Sequence, residues 1–279
     1  MIIDFHTHIF PEWLIEQREK YLARDDTFGE LFAAPKARMA TAEDLVRAMD
    51  EDGVDHSVAM GIGWTDQGLA REVNDYIIDA VGRYPGRLTG FAGVSPAWGG
   101  PAAREAERCA VAGLKGIGEL HPDSQQFDLG DEAAMAPLAE VAREHGLIVT
   151  THSSEPVGHL YQGKGKTRPE MLWRFIQGFP DITIVCAHWG GGLPFYALMP
   201  EVAEGLRNVY FDTAASPFLY DARIFDAAAA LVGSDRILLG SDFPLLRTRR
   251  LLHEVGGSAL PEADREAVLG GNAARLLGL

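Results

Sequence analysis

Eight short runs of aliphatic and β-branched residues, each bounded by Gly, Pro or polar turns, recur along this chain at intervals that a helix can fill. They are IIDF at 2, HSVAMGI at 56, LTGFAGVSP at 88, LKGIGEL at 114, LIVTTHS at 147, ITIVCAHW at 182, VYFDTAA at 209 and RILLGSDFP at 236. Runs without polar alternation are strands buried on both faces. Between them stand segments with helical spacing, such as TAEDLVRAMDEDG from Thr41, PAAREAERCAVAG from Pro101, DEAAMAPLAEVAREHG from Asp131 and DARIFDAAAALVG from Asp221. Several of these open on a capping residue and stop at a glycine, as helices do. The alternation predicts an α/β fold with a parallel sheet covered on both sides. Eight units in 279 residues match a closed (β/α)8 TIM barrel, with an open doubly wound sheet as the alternative.

The polar residues favour the barrel. His8, Glu119, His152, His188 and Asp242 each fall at or just past the C-terminal end of their run. In a barrel those ends form one rim, where active sites are built, so the five converge on a single site. The first run ends in the pair His6 and His8 of DFHTHIFP. Residues two apart on a strand face the same way and can grip one cation together.

Each candidate has a plainer reading beside the functional one. His152 in TTHSSEP suits a metal ligand better than a buried, hydrogen-bonded filler. His188 in CAHWGGG is either a ligand or an acid/base catalyst, and the glycines after it let backbone approach a ligand. Asp242 in LGSDFP is expected to meet a cation, since a buried carboxylate is costly without one. Glu119 in GIGELHP either bridges two ions, as in two-metal hydrolases, or accepts a hydrogen bond from a ligand. His121 lies on the same side and reads as a hydrogen-bonded neighbour. Asp4 is expected to orient an imidazole from behind or to hold the barrel floor, and Asp212 to do similar work for the seventh run.

A hydrophobic fraction of 47% supports a large core in one domain spanning 1–279, with no linker or repeat to divide it. The net charge of −15 argues against nucleic acid and anionic membranes as partners. No apolar stretch approaches the ~20 residues of a membrane span, and the start of the chain enters a strand at once, so a cytoplasmic location is expected. Cys109 and Cys186 are too few for a disulfide framework and read as core.

The order HxH on the first strand, His on the fifth, His in an HxGG-like context on the sixth and Asp in GSDFP on the eighth resembles the amidohydrolase superfamily. More narrowly it resembles the amidohydrolase-2 branch, with its aminocarboxymuconate-semialdehyde decarboxylase-like and pyrone-dicarboxylate-lactonase-like enzymes. The resemblance spans the chain, with AHWGGGLPFY and LGSDFP its most specific parts. It implies a divalent metal, usually zinc, on His6, His8, His152 and Asp242. In decarboxylase-like members the histidine matching His188 is the acid/base; in binuclear members it binds the second metal, and the aspartate matching Asp242 accepts the proton. No lysine ends the fourth run, and Glu119 in its place resembles the TatD-like pattern, so one or two ions per chain are expected.

Such a donor set suits zinc or a similar ion, whose bound water is acidified to a pKa of ~7. The expected function is therefore a metal-dependent hydrolase cleaving an amide, ester or lactone of a small substrate, with Asp242 or His188 handling the proton. A metal-dependent non-oxidative decarboxylase, a lyase for aromatic or enol-type acids, is the alternative. Loops after the strands supply the pocket. The longest, residues 9–40, reads as a lid. Trp64 after the second run, and His159, Tyr161, Lys164, Lys166 and Arg168 after the fifth, are the substrate-binding candidates, the latter loop being basic enough to meet a carboxylate. The stretch LPFYALMP from Leu193 suits either a homo-oligomer interface or the start of a core helix.

Overall fold

The computed structural model describes residues 1–279. Eight parallel strands pair in sequence order: β1 (Ile3–His8), β2 (His56–Met60), β3 (Leu88–Ala92), β4 (Gly116–Leu120), β5 (Ile148–Thr151), β6 (Thr183–Cys186), β7 (Val209–Asp212) and β8 (Ile237–Leu238). Every expected run supplies one strand, and helices follow each, giving a (β/α)8 barrel. All eight strands are buried along nearly their whole length, which is why their sequences lack alternation.

Closure between β8 and β1 is made by irregular contacts. Phe5 N donates to Leu239 O at 2.7 Å, Asp242 N to His6 O at 2.9 Å and His8 N to Phe243 O at 2.7 Å. The last two bonds therefore seat donor-bearing residues at the barrel seam. In β1 the register against β2 shifts between Asp4 and Thr7, and in β4 the register against β5 shifts between Ile117 and Leu120. Such irregularities re-aim side chains, and His6 and Glu119 lie within them.

Local sequence accounts for the helices. The helix Ala42–Asp52 opens on a capping box between Thr41 and Asp44 and stops at Gly53, whose φ of 73° is left-handed. The helix Glu132–His145 opens on Asp131, whose carboxylate accepts from Ala133 N and Ala134 N, and stops at Gly146. Residues 9–40, expected to form a loop, instead hold three short helices, Glu12–Glu16, Arg18–Tyr21 and Asp26–Phe32, anchored by buried Leu14, Phe28 and Phe32. Both cysteines are buried and unpaired. No helix is long and apolar enough to cross a membrane. In LPFYALMP, Leu193 is buried while Phe195, Tyr196, Leu198 and Met199 are exposed.

Candidate metal centre and active site

The strand ends bring six predicted donors together, with His6, His8, His152 and His188 buried around Glu119 and Asp242 partly exposed beside His6 and His8. Its Oε2 atom lies 3.6 Å from His6 Nε2 and 3.7 Å from His8 Nε2. Its Oε1 atom lies 3.0 Å from His152 Nδ1 and 3.3 Å from His188 Nε2. Asp242 Oδ1 approaches His8 Nε2 at 3.4 Å and His6 Nε2 at 3.9 Å, and the two Nε2 atoms are 3.0 Å apart. Two donor groups result, His6, His8 and Glu119 on one side and Glu119, His152 and His188 on the other, and either could hold a metal.

Acceptors behind the imidazoles fix their direction. His6 Nδ1 donates to Asp212 Oδ2 at 2.7 Å and His188 Nδ1 to Ala214 O at 3.0 Å, leaving both Nε2 atoms for the cluster. Asp212 Oδ1 also accepts from His188 N at 2.9 Å, across from β7 to the end of β6. Asp4 accepts from Ser241 Oγ and Thr248 Oγ1, each at 2.6 Å, and so ties β1 to the turn that carries Asp242. His188 and Asp242 both adopt left-handed backbone, with φ of 55° and 66°, a conformation kept in non-glycine residues only where surroundings enforce it. In CAHWGGG the glycine at 191 is required by contact, since a Cβ there would sit 2.4 Å from Ser154 O.

Charge is shared tightly in this cluster. Burial works against the Glu119 carboxylate, yet His6 and the hydrogen bonds from His152, His188 and His6 hold it well below the usual carboxylate range. Burial opposes the charged form of His6 as well, but Asp212 and Glu119 raise its proton affinity well above normal. His188, also disfavoured by burial, is pushed up to about 9 by its bond to Glu119. Burial wins at His152, which is lowered, and at His121, which falls to about 4.

A cavity of about 400 Å³ opens onto the cluster. Leu31, Phe32, Ile62, Phe218 and Leu245 form its apolar walls, and His159 and Tyr161 of the β5 loop reach it. The other expected contacts lie elsewhere. Trp64 is fully buried in the core, turned inward against Gly93, where a Cβ would lie 2.6 Å from Trp64 Cδ1, and stacked on Phe28 with centroids 5.9 Å apart. Lys164 directs Nζ to the backbone carbonyls of Val157 and His159, at 2.7 and 2.9 Å, and lines a neighbouring cavity. Arg168 is exposed at the start of the helix Pro169–Gly178, and Lys166 is exposed too. The cation that does line the cavity is Arg38. Nothing in its local sequence marks it, and only its place in the suspected lid segment pointed there.

A (β/α)8 barrel with imidazoles and carboxylates gathered at its C-terminal rim defines a metal-binding enzyme class. The chain belongs to the amidohydrolase family, whose model matches residues 3–279. It is 23% identical over 339 residues to a 2-amino-3-carboxymuconate-6-semialdehyde decarboxylase of Dictyostelium discoideum, covering 99% of this chain and 91% of that protein. It is 24% identical over 295 residues to a gamma-resorcylate decarboxylase of Polaromonas sp. strain JS666, covering 88% and 90%. Its fold matches a 5-carboxyvanillate decarboxylase of Novosphingobium aromaticivorans, solved with manganese and 4-hydroxy-3-methoxy-5-nitrobenzoic acid, at a TM-score of 0.81, with 18% identity over 100% of this chain and 96% of that one. These relatives overturn the expectation of a hydrolase: they are decarboxylases, the alternative read from the sequence. The physical reason is that a donor set of this kind serves either reaction, so the ligands alone do not select hydrolysis.

Proposed function

We propose that this protein is a metal-dependent non-oxidative decarboxylase acting on a small aromatic or enol-type acid. The observation that carries the reading is that both curated relatives, aligned over most of the chain, are decarboxylases. The site supports it with a proton-bearing group, an anion-binding group and apolar walls around one cavity.

The donors fit a divalent ion. His6 Nε2 and His8 Nε2 lie 3.0 Å from each other and 3.4 to 3.9 Å from Glu119 Oε2 and Asp242 Oδ1, near the edges, roughly 3.0 to 3.4 Å, expected around an ion with bonds of about 2.1 Å. His152 meets the same carboxylate from the other side, its Nδ1 3.0 Å from Glu119 Oε1, and would join His188 and Glu119 in the second donor group. Zinc and manganese both accept such imidazole and carboxylate donors. The ion supplies positive charge that anchors the acid and draws electron density away from the bond that breaks.

The chain's own residues carry the proton and the orientation. Carbon dioxide leaves as the carbon–carbon bond breaks, its electron pair stays on the substrate carbon, and His188 Nε2 delivers a proton to that carbon. Ala214 O fixes the ring for this transfer through Nδ1. Arg38, which lines the cavity, takes an anionic group of the substrate. Leu31, Phe32, Ile62 and Phe218 keep water from the carbon being protonated.

The test supplies zinc- or manganese-loaded protein with hydroxybenzoates and unsaturated dicarboxylic acids in deuterium oxide. Carbon dioxide release with one deuterium at the vacated carbon is expected, abolished by His188→Asn. Fully loaded protein that releases none from any acid would overturn the reading.

A further inference from the structure

The ring of His121 lines the same cavity, belongs to neither donor group, and keeps its buried Nε2 atom without a hydrogen-bond partner. Everything else about it is held. Its backbone N–H donates to Gln125 Oε1 at 2.9 Å, and the Gln125 amide in turn donates to Trp64 O and Val94 O, each at 2.9 Å. The ring stacks on His152 with centroids 4.3 Å apart and planes 20° apart. Residue 63 is glycine where a Cβ would come within 2.6 Å of His121 Cβ, so the β2 loop leaves room for this placement.

Counting protons fixes the tautomer. Ser124 Oγ donates its one hydrogen to Glu30 Oε2, because a carboxylate only accepts. The same oxygen lies 3.0 Å from His121 Nδ1, so there it must accept, and Nδ1 carries the ring proton. Nε2 is therefore a bare lone pair. A buried acceptor left unpaired is costly, and natural structures retain one mainly where function uses it.

We propose that His121 Nε2 is a specificity-determining acceptor that takes a hydrogen bond from a hydroxyl or N–H substituent of the bound acid. A carboxylate has no hydrogen to offer it, so the contact selects acids with a donor substituent over those without. Gly165 of the β5 loop passes beside the ring edge, where a Cβ would lie 3.7 Å from His121 Cε1. The assignment rests on the reading of this cavity as the acid-binding site.

The experiment measures binding of 2,6-dihydroxybenzoate and benzoate to manganese-loaded protein by calorimetry, with carbon dioxide release from the former followed in parallel. Wild type should prefer the dihydroxy acid. His121→Phe keeps the stack on His152 and removes the acceptor, and should weaken the dihydroxy acid about tenfold while leaving benzoate, metal per chain and Tm unchanged. His121→Gln, with a carbonyl acceptor, should recover part of the loss. Ser124→Ala frees the ring proton to move to Nε2 and should erode the preference even if the phenylalanine variant fails to fold. Equal weakening of both acids, loss of metal in His121→Phe, an unchanged preference in Ser124→Ala, or no preference in wild type would each overturn the proposal. Preference without carbon dioxide release from 2,6-dihydroxybenzoate or from any of the hydroxybenzoates and unsaturated dicarboxylic acids named above would instead sink the decarboxylase reading and leave His121 in place.

Discussion

Asp212, at the end of β7, holds His6 of β1 through a 2.7 Å bond to Nδ1, with both side chains fully buried. The carboxylate sets which nitrogen of His6 faces the cluster and strengthens it as a donor. Asp212→Asn keeps the shape and loses the charge. Metal affinity should fall ten- to hundredfold with the fold intact, measured by competition with a chelator of known affinity. Unchanged affinity would remove the orienting role.

With no ion in the cluster, protons bind its imidazoles instead. His188 is raised from 6.5 to about 9 and His6 well above 6.5, so both bind protons more tightly folded than unfolded. Their contribution is fully present below about 6.5 and is lost as pH rises toward about 9. For His188 alone this is on the order of 3 kcal/mol. Thermal melts of the chelated protein should therefore show Tm falling from pH 6.5 to 9, and the fall should shrink in His188→Asn. Metal-loaded protein, in which the ligand imidazole of His6 is already deprotonated while His188 keeps its proton, should show a smaller fall across that range.

Among the cations near the mouth, Arg38 lines the cavity while Arg168 does not. Arg38→Gln should raise the KM for an acidic substrate tenfold to a hundredfold, the worth of about 1.5 to 3 kcal/mol in a charge-assisted hydrogen bond. Arg168→Gln should leave KM where it was. Steady-state kinetics on both variants decide it, and equal effects would move the anion site to the β5 loop.

Trp64 belongs to the core, so its removal is a packing defect. Trp64→Ala should cost about 3 to 5 kcal/mol in a denaturant titration, with Trp64→Phe costing less. If Trp64→Phe raised KM and left stability alone, the side chain would have to reach the substrate.

The strands were legible because each is buried on both faces, and the donors because a barrel turns its strand ends to one rim. His8, Glu119, His152, His188 and Asp242 could be picked out by that rule without knowing any contact. Trp64 was misplaced since its direction depends on glycine at 61 and 93, positions whose closeness arises only when β2 and β3 pair. Arg38 escaped because it lies in an irregular stretch after three short helices, with no periodicity long enough to read, and reaches the cavity only through their packing. The choice between hydrolysis and decarboxylation was not written in the ligands at all, since the same donors serve both.

The seam between β8 and β1 adds a further consequence. Asp242 lies near the far end of the chain and His6 near its start, yet Asp242 N bonds to His6 O, so the cluster is assembled only when the two ends of the ring meet. An ion gripped by His6, His8, Glu119 and Asp242 would act as a rivet through strands that are remote in sequence, fastening the place where the barrel is stitched by the fewest regular bonds. Catalytic competence and mechanical closure of the ring would then be one event, and a chain that lost its ion would loosen first at its own seam.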